Sequence, residues 1–266
     1  MLTRFCTNFI QVKLIMDIVI IGSGNVAAVL GRKFREAGHH IVQIYSRNAA
    51  GASELAYEWD TESTNYKSLI TPNAELYVIA VPDDAIGEVI TDLRFPGKVI
   101  VHTAASVPMD MLKPVSDHFG VIYPLQSLRK EMSYIPEIPV FFEGNDEKAK
   151  KTLGKLAESI SGGQLKIANG DERLKLHVAA VVVSNFTNHL YALAEDYCRK
   201  ESVDFRQLIP LIEETAKRVR EVSPSQSQTG PAIRHDEETI KKHLEMLQSH
   251  PQLKELYTLM TKSIQG

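Results

Sequence analysis

The chain is poor in the devices that staple small secreted folds or build metal centres. Its 266 residues include only two cysteines, Cys6 and Cys198, which form no C-x-x-C pair. No disulfide framework is expected, no metal site is indicated, and a reducing cytoplasm fits. No apolar run approaches the ~18 residues of a membrane span, and residues 1–14 lack a clean signal-peptide core and cleavage site. Positive charge is not in excess: the formal charge is −3, which argues against nonspecific nucleic-acid binding. Also missing are G-x-x-x-x-G-K-[ST], H-E-x-x-H and Tyr-x-x-x-Lys. The first two absences remove the P-loop and zincin readings, and the third weakens a short-chain dehydrogenase reading.

What the chain does have begins at Asp17-Ile18-Val19-Ile20-Ile21, an apolar run that breaks into Gly22-Ser23-Gly24-Asn25-Val26-Ala27. That pattern predicts a strand turning into a helix around a dinucleotide. The first glycine permits the tight turn, the second admits a pyrophosphate to the main chain, and Ala27 lets helix and strand pack closely. Unpaired N–H groups at the helix start would face the phosphates. The second strand, 40–45, is followed by Ser46-Arg47-Asn48. An NAD protein would place an acid there. A hydroxyl and a guanidinium suit a 2′-phosphate instead, so NADP is the expected cofactor.

Strands and helices then alternate. Helices are expected over 49–59, from Asp83 to about 93 with Asp83 as cap, from about 108, and over 146–160. Strands are expected at 76–81, 98–102, 120–123, 138–142 and near 164–167. Continuous apolar strands between helices imply a doubly wound parallel sheet. Ligands lie beyond the strand C-termini in such sheets, which selects the loops 22–27, 81–84 and 102–106. Val81, Pro82, Asp83 and Thr103 thereby join the cofactor-contact candidates. From Asp171 only helices are expected: a long one over 171–200, a second over 205–222, and two after the loop 223–236. The expected organisation is a Rossmann domain over 16–169 and a helical substrate and dimerisation domain over 170–266. Met16 is read as the natural start, with 1–15 an extension.

At about 100° per residue, Arg173, His177, Ser184, Asn188, Tyr191 and Glu195 fall within roughly 40° of one line on the long helix. A stripe with His, Ser and Asn at its middle, amid mostly apolar faces, reads as a polar seam lining a cleft. Histidine suits proton transfer near neutral pH. His177 is the preferred acid–base candidate. His102, with Thr103, is placed near the nicotinamide or substrate, and a structural role is open for each histidine. Arg234 could anchor a substrate carboxylate or lie on the surface. Asp236 would cap the helix beginning at Glu237 whatever else it does.

These motifs resemble one family. They are Gly22 to Ala27, Ser46-Arg47, Ala80-Val81-Pro82-Asp83-Asp84-Ala85-Ile86, Val101-His102-Thr103, and His177-Val178-Ala179-Ala180 with Ser184-Asn185. Thr229-Gly230-Pro231 with Arg234, Asp236 and His243 completes the set. The chain resembles Rossmann-like proteins with a C-terminal helical domain of unknown function. That family is related to pyrroline-5-carboxylate reductase and the 6-phosphogluconate dehydrogenase-like superfamily. The resemblance implies an NADP-dependent oxidoreductase and leaves the reaction open; the expected chemistry is hydride transfer to or from a small carbonyl, imine or hydroxy-acid-like substrate. The apolar helix surface of the second domain, through which related enzymes pair, makes a homodimer the expected assembly. Asn185 joins the catalytic candidates, and Ser184, Asn188, Thr229, Arg234 and Asp236 the substrate-binding ones. The family often reads His-Thr-Ser-Gly where this chain has His102-Thr103-Ala104-Ala105, and Arg-Gly-Asp where it has Arg234-His235-Asp236. Those departures keep open the alternative, an NADP-binding sensor without turnover.

Overall fold

The computed structural model describes residues 15–266. The expected extension therefore falls outside the described residues, apart from Ile15. By internal packing the chain divides into two compact units, one through Val181 and one from Val182.

In the first unit, β1 (Asp17–Ile21) leads into α1 (Asn25–Glu36), β2 (His40–Tyr45), α2 (Ala49–Trp59) and the short β3 (Glu62–Thr64). β4 (Leu76–Ile79), α3 (Ile86–Ile90), β5 (Val99–His102) and β6 (His118–Pro124) follow. β7 (Val140–Gly144), α4 (Glu147–Ile160), β8 (Leu165–Ile167) and α5 (Gly170–Ala180) complete the unit. The sheet order is β3-β2-β1-β4-β5-β6-β7-β8. The order reverses between β1 and β4, the place where a doubly wound sheet opens a crevice for a ligand.

Alternation along the strands explains the two buried faces. Ile18 and Ile20 of β1 pack with Leu30 and Phe34 of α1 and Leu153 of α4 on one face. Val19 and Ile21 pack with Ile86 and Val89 of α3 on the other. Helix starts are capped as their sequences allow. Asn48 accepts from the Gly51 N–H (3.1 Å), Asp146 accepts from Ala149 N–H (2.8 Å), and Asn169 and Glu172 form a reciprocal box at α5.

Several elements differ from expectation. β7 runs antiparallel to β6. No helix forms over residues 125–139, and without a helical crossover the chain returns alongside β6 in the opposite sense. The helix expected from about 108 is only a 3-10 turn, Met109–Leu112, stopped by Pro114. Asp83 caps nothing: it lies inside a 3-10 turn, Asp83–Ala85, ahead of α3, and its carboxylate accepts from the Ser106 hydroxyl instead.

The second unit is helical. α6 (Thr187–Lys200) follows a π-helical turn, Val181–Phe186; then come α7 (Ile209–Arg218), α8 (Glu237–Met246) and α9 (Pro251–Gln265). The helix expected over 205–222 is shorter, because Pro210 fits only a first turn and a 3-10 turn precedes it. The π turn takes in an extra residue per hydrogen-bonded ring and interrupts the single helix expected over 171–200. Among the described residues, no helix is long and apolar enough to cross a membrane.

Candidate active site

Gly22 bends β1 toward α1 at φ 128°, where its N–H donates to Tyr45 carbonyl oxygen (2.7 Å). A Cβ built there would overlap the Ala80 carbonyl oxygen, so the turn closes tightly on the end of β4. Gly24 differs: its backbone is extended, and a Cβ there would meet nothing within 4 Å. Gly24 also occupies the N-cap position of α1 with no capping side chain. The N–H groups of the first turn are therefore left without a capping side chain. Val26 is half-buried and Ala27 fully buried, which lets α1 pack against the sheet.

A cleft of about 290 Å³ opens beside this turn, lined by Gly24, Tyr45, Ser46, Arg47, Val81 and Pro82 among others. Ser46 accepts from the Ser23 hydroxyl (2.9 Å) and from the Asn48 N–H (3.2 Å), so its own proton is left to donate. Arg47 pairs with Glu88, whose two carboxylate oxygens both lie 2.7 Å from Nη1. Asn25 accepts from the Lys130 N–H (3.1 Å), which ties the segment after β6 to the start of α1. A cleft beside an uncapped helix start, with a hydroxyl and a guanidinium at its rim, fits NADP.

At the neighbouring strand ends lies a second group. His102, at the end of β5, is fully buried, and its Nδ1 accepts from the Ala104 N–H (3.2 Å). Nε2 is buried without a hydrogen-bond partner among the described residues. Burial, reinforced by the Arg173 charge, lowers its pKa from 6.5 to about 4, against the opposing pull of Pro108 and Asp83. His102 is thus neutral near pH 7 and braces the loop after β5. Thr103 is buried and donates its N–H to the Ile79 carbonyl (3.1 Å).

Tyr123, near the end of β6, is a candidate that sequence reasoning missed. Its hydroxyl lies 3.1 Å from Nδ1 of His177, and the rings meet edge to face. Tyr123 is buried and His177 exposed. Burial first, then the Asp83 charge, raises the Tyr123 pKa. No local motif marks such a pair; the only hint was an aromatic at a strand C-terminus. Arg173, a member of the predicted seam, is buried, pairs with Glu143, and also donates to the Ala168 carbonyl (3.0 Å).

The remaining candidates belong to the second unit. Ser184 and Asn185 sit in the π turn, Ser184 half-buried, and Asn188 is exposed on α6. Thr229 and Arg234 are exposed in the loop before α8. Asp236 caps α8, accepting from the Thr239 N–H (3.1 Å) and hydroxyl (2.8 Å), bonds that lower its pKa. His235 has φ 51°, a left-handed conformation that glycine adopts with less strain.

Fold and cleft together define a dinucleotide-binding protein. Residues 17–106 match the family model described as NADP oxidoreductase, coenzyme F420-dependent. Residues 138–264 match the domain of unknown function DUF2520. A crystal structure described as a "putative NADP oxidoreductase" from Bacteroides fragilis is 39% identical, with TM-score 0.87, over 94% of this chain and 98% of that one. The chain belongs to this family of NADP oxidoreductases with a C-terminal DUF2520 domain, whose cofactor is NADP. Two more distant structures share the fold. One is 1-pyrroline-5-carboxylate reductase from Streptococcus pyogenes, at 14% identity and TM-score 0.62 over 94% of this chain and 98% of that one. The other is an imine reductase from Myxococcus stipitatus in complex with NADP+, at 12% identity and TM-score 0.61 over 93% and 92%. No curated protein matches the chain.

Two predictions follow from this geometry. Gly24→Ala adds a methyl group to empty space, so the thermal midpoint should stay unchanged while NADPH affinity, read by calorimetry, falls at least about 10-fold. Full affinity would mean the space is not used by the cofactor. For His102, the folded state resists the proton that the unfolded chain accepts below pH 6.5. Its contribution is intact above that pH, and roughly 3 kcal/mol is lost as pH falls from 6.5 to about 4. Urea unfolding at stepped pH should show this loss in the wild type and not in His102→Gln.

Proposed function

We propose that the protein transfers a hydride between NADP(H) and a small carbonyl, imine or hydroxy-acid-like substrate, with His177 handling the proton. The observation that carries this reading is the Tyr123–His177 pair, which stands at the same strand-end edge of the sheet as the cofactor cleft. When bound, the nicotinamide supplies or accepts the hydride; every other requirement falls to side chains.

The raised pKa of Tyr123 keeps its hydroxyl protonated, and in the proposed tautomer that hydroxyl donates to Nδ1 of His177. That bond leaves the ring proton on Nε2, the nitrogen free to exchange it with a substrate oxygen or nitrogen. Tyr123 is then a positioning residue and His177 the acid–base group. His102, neutral and buried, is unsuited to proton transfer near pH 7 and is assigned the bracing of Thr103 beside the nicotinamide end. Ser46 and Arg47 take the 2′-phosphate, and Gly22, Ser23, Gly24, Asn25, Val26 and Ala27 the pyrophosphate. Val81, Pro82 and Asp83 flank the cofactor. Asn185 is proposed to assist catalysis, and Ser184, Asn188, Thr229, Arg234 and Asp236 to contact substrate. The boundary near 169–170 and a cytoplasmic setting belong to the same proposal.

NADPH oxidation measured against imines, 2-oxo acids and other small carbonyls, with hydroxy acids in the reverse direction, tests the reading. Turnover of at least one class is expected. His177→Gln should lower kcat by about 10²–10⁴ with NADPH affinity unchanged. Tyr123→Phe should lower it by about 10-fold and move the pH profile. No turnover of any class would support the sensor instead, and an active His177→Gln enzyme with an unaltered pH profile would remove the assigned role.

Homodimerisation belongs to this proposal. Val182, Val183 and Phe186 are 51%, 71% and 59% exposed, as are Leu211 at 63% and Leu259 at 61%. Apolar side chains bared on several helices of one unit suit burial against a second copy. Sedimentation should give twice the chain mass at micromolar concentration; a stable monomer would contradict it.

A further inference from the structure

We propose that Glu88 is a selectivity-determining residue at the adenosine end of the cleft. Its carboxylate restrains Arg47 and narrows the margin by which the site prefers a 2′-phosphate to a free ribose hydroxyl. The proposal rests on the reading of Ser46 and Arg47 as the 2′-phosphate site.

The end of β2 offers no acid, yet an acid reaches the same place from α3. Both Glu88 oxygens lie 2.7 Å from Arg47 Nη1. The next residue, Val89, lines the cleft with Tyr45, Ser46 and Arg47. The turn that carries Glu88 is anchored, because Lys67 Nζ donates to the carbonyls of Glu88 (2.6 Å) and Thr91 (3.4 Å). Tyr45, which lines the same cleft, feels both charges. Burial raises its phenol pKa, Arg47 pulls it down and Glu88 pushes it up.

Arg47 Nε and Nη2 make no hydrogen bond among the described residues, so a phosphate can use them while Glu88 keeps Nη1. It would still share one guanidinium with a carboxylate and sit beside that like charge, which weakens its binding. A free 2′-hydroxyl carries no charge and can donate to Glu88. That is the role an acid at the end of β2 plays in NAD proteins. Loss of the carboxylate therefore strengthens binding of the phosphate-bearing nucleotide and does not strengthen binding of the other.

The test is calorimetry on the full chain with NADPH, NADH, adenosine 2′,5′-bisphosphate and adenosine 5′-phosphate, which needs no substrate. Glu88→Gln should tighten NADPH and the bisphosphate about 2- to 10-fold, the scale of an exposed charge interaction. NADH and the monophosphate should be unchanged or weaker. Arg47→Ala, run beside it, should weaken NADPH about 10- to 100-fold and leave NADH unchanged. If Arg47→Ala behaves so while Glu88→Gln leaves NADPH unchanged or weakens it, the proposal for Glu88 is overturned and the phosphate site stands. Equal losses of NADPH and NADH in Arg47→Ala would instead remove the phosphate site itself.

Discussion

Position 22 accepts no side chain, because any Cβ would enter the carbonyl of Ala80. This close approach seats the turn after β1 on the end of β4, where the sheet order reverses. From it follow the direction of α1, the exposed backbone at Gly24, and the meeting of Ser23 with Ser46 across the mouth of the cleft. A wider turn would lift the start of α1 off the sheet and separate the phosphate-facing backbone from the Ser46-Arg47 rim. One steric constraint thus sets the position of the whole dinucleotide end.

Around that frame, charge is placed according to burial. The exposed rim holds Arg47 with Glu88, where solvent moderates both charges. The interior keeps His102 neutral, since a buried imidazolium near the Arg173 guanidinium would be unfavourable. Between these limits, Tyr123 lies buried and His177 exposed, so the pair joins a protected hydroxyl to a ring that solvent can reach. The proposed proton exchange suits such a boundary position.

Much of this was legible in the sequence because it is written locally. A strand, two glycines and a small-residue helix follow in order within 17–30, and the Ser46-Arg47 pair comes directly after its strand. What escaped was non-local or conformational. The direction of β7 depends on the helix that residues 125–139 do not form, and apolar strand patterns carry no sign of direction. The π turn breaks a phase count that assumed one uniform helix. Tyr123 meets His177 across 54 residues, and Glu88 resembles any exposed helical glutamate until α3 brings it to Arg47. Asp83 looked like a helix cap, but its carboxylate is engaged by Ser106 from the next strand end.

The central claim is that the cofactor cleft and the Tyr123–His177 pair form one active site. The most direct measurement is the ¹⁵N spectrum of the histidine side chains as NADP+ is added to the unmodified protein. The account predicts that the His177 ring signals move in step with cofactor saturation, because the nicotinamide end reaches the pair. His177 signals that stay in place at saturating NADP+ would contradict it.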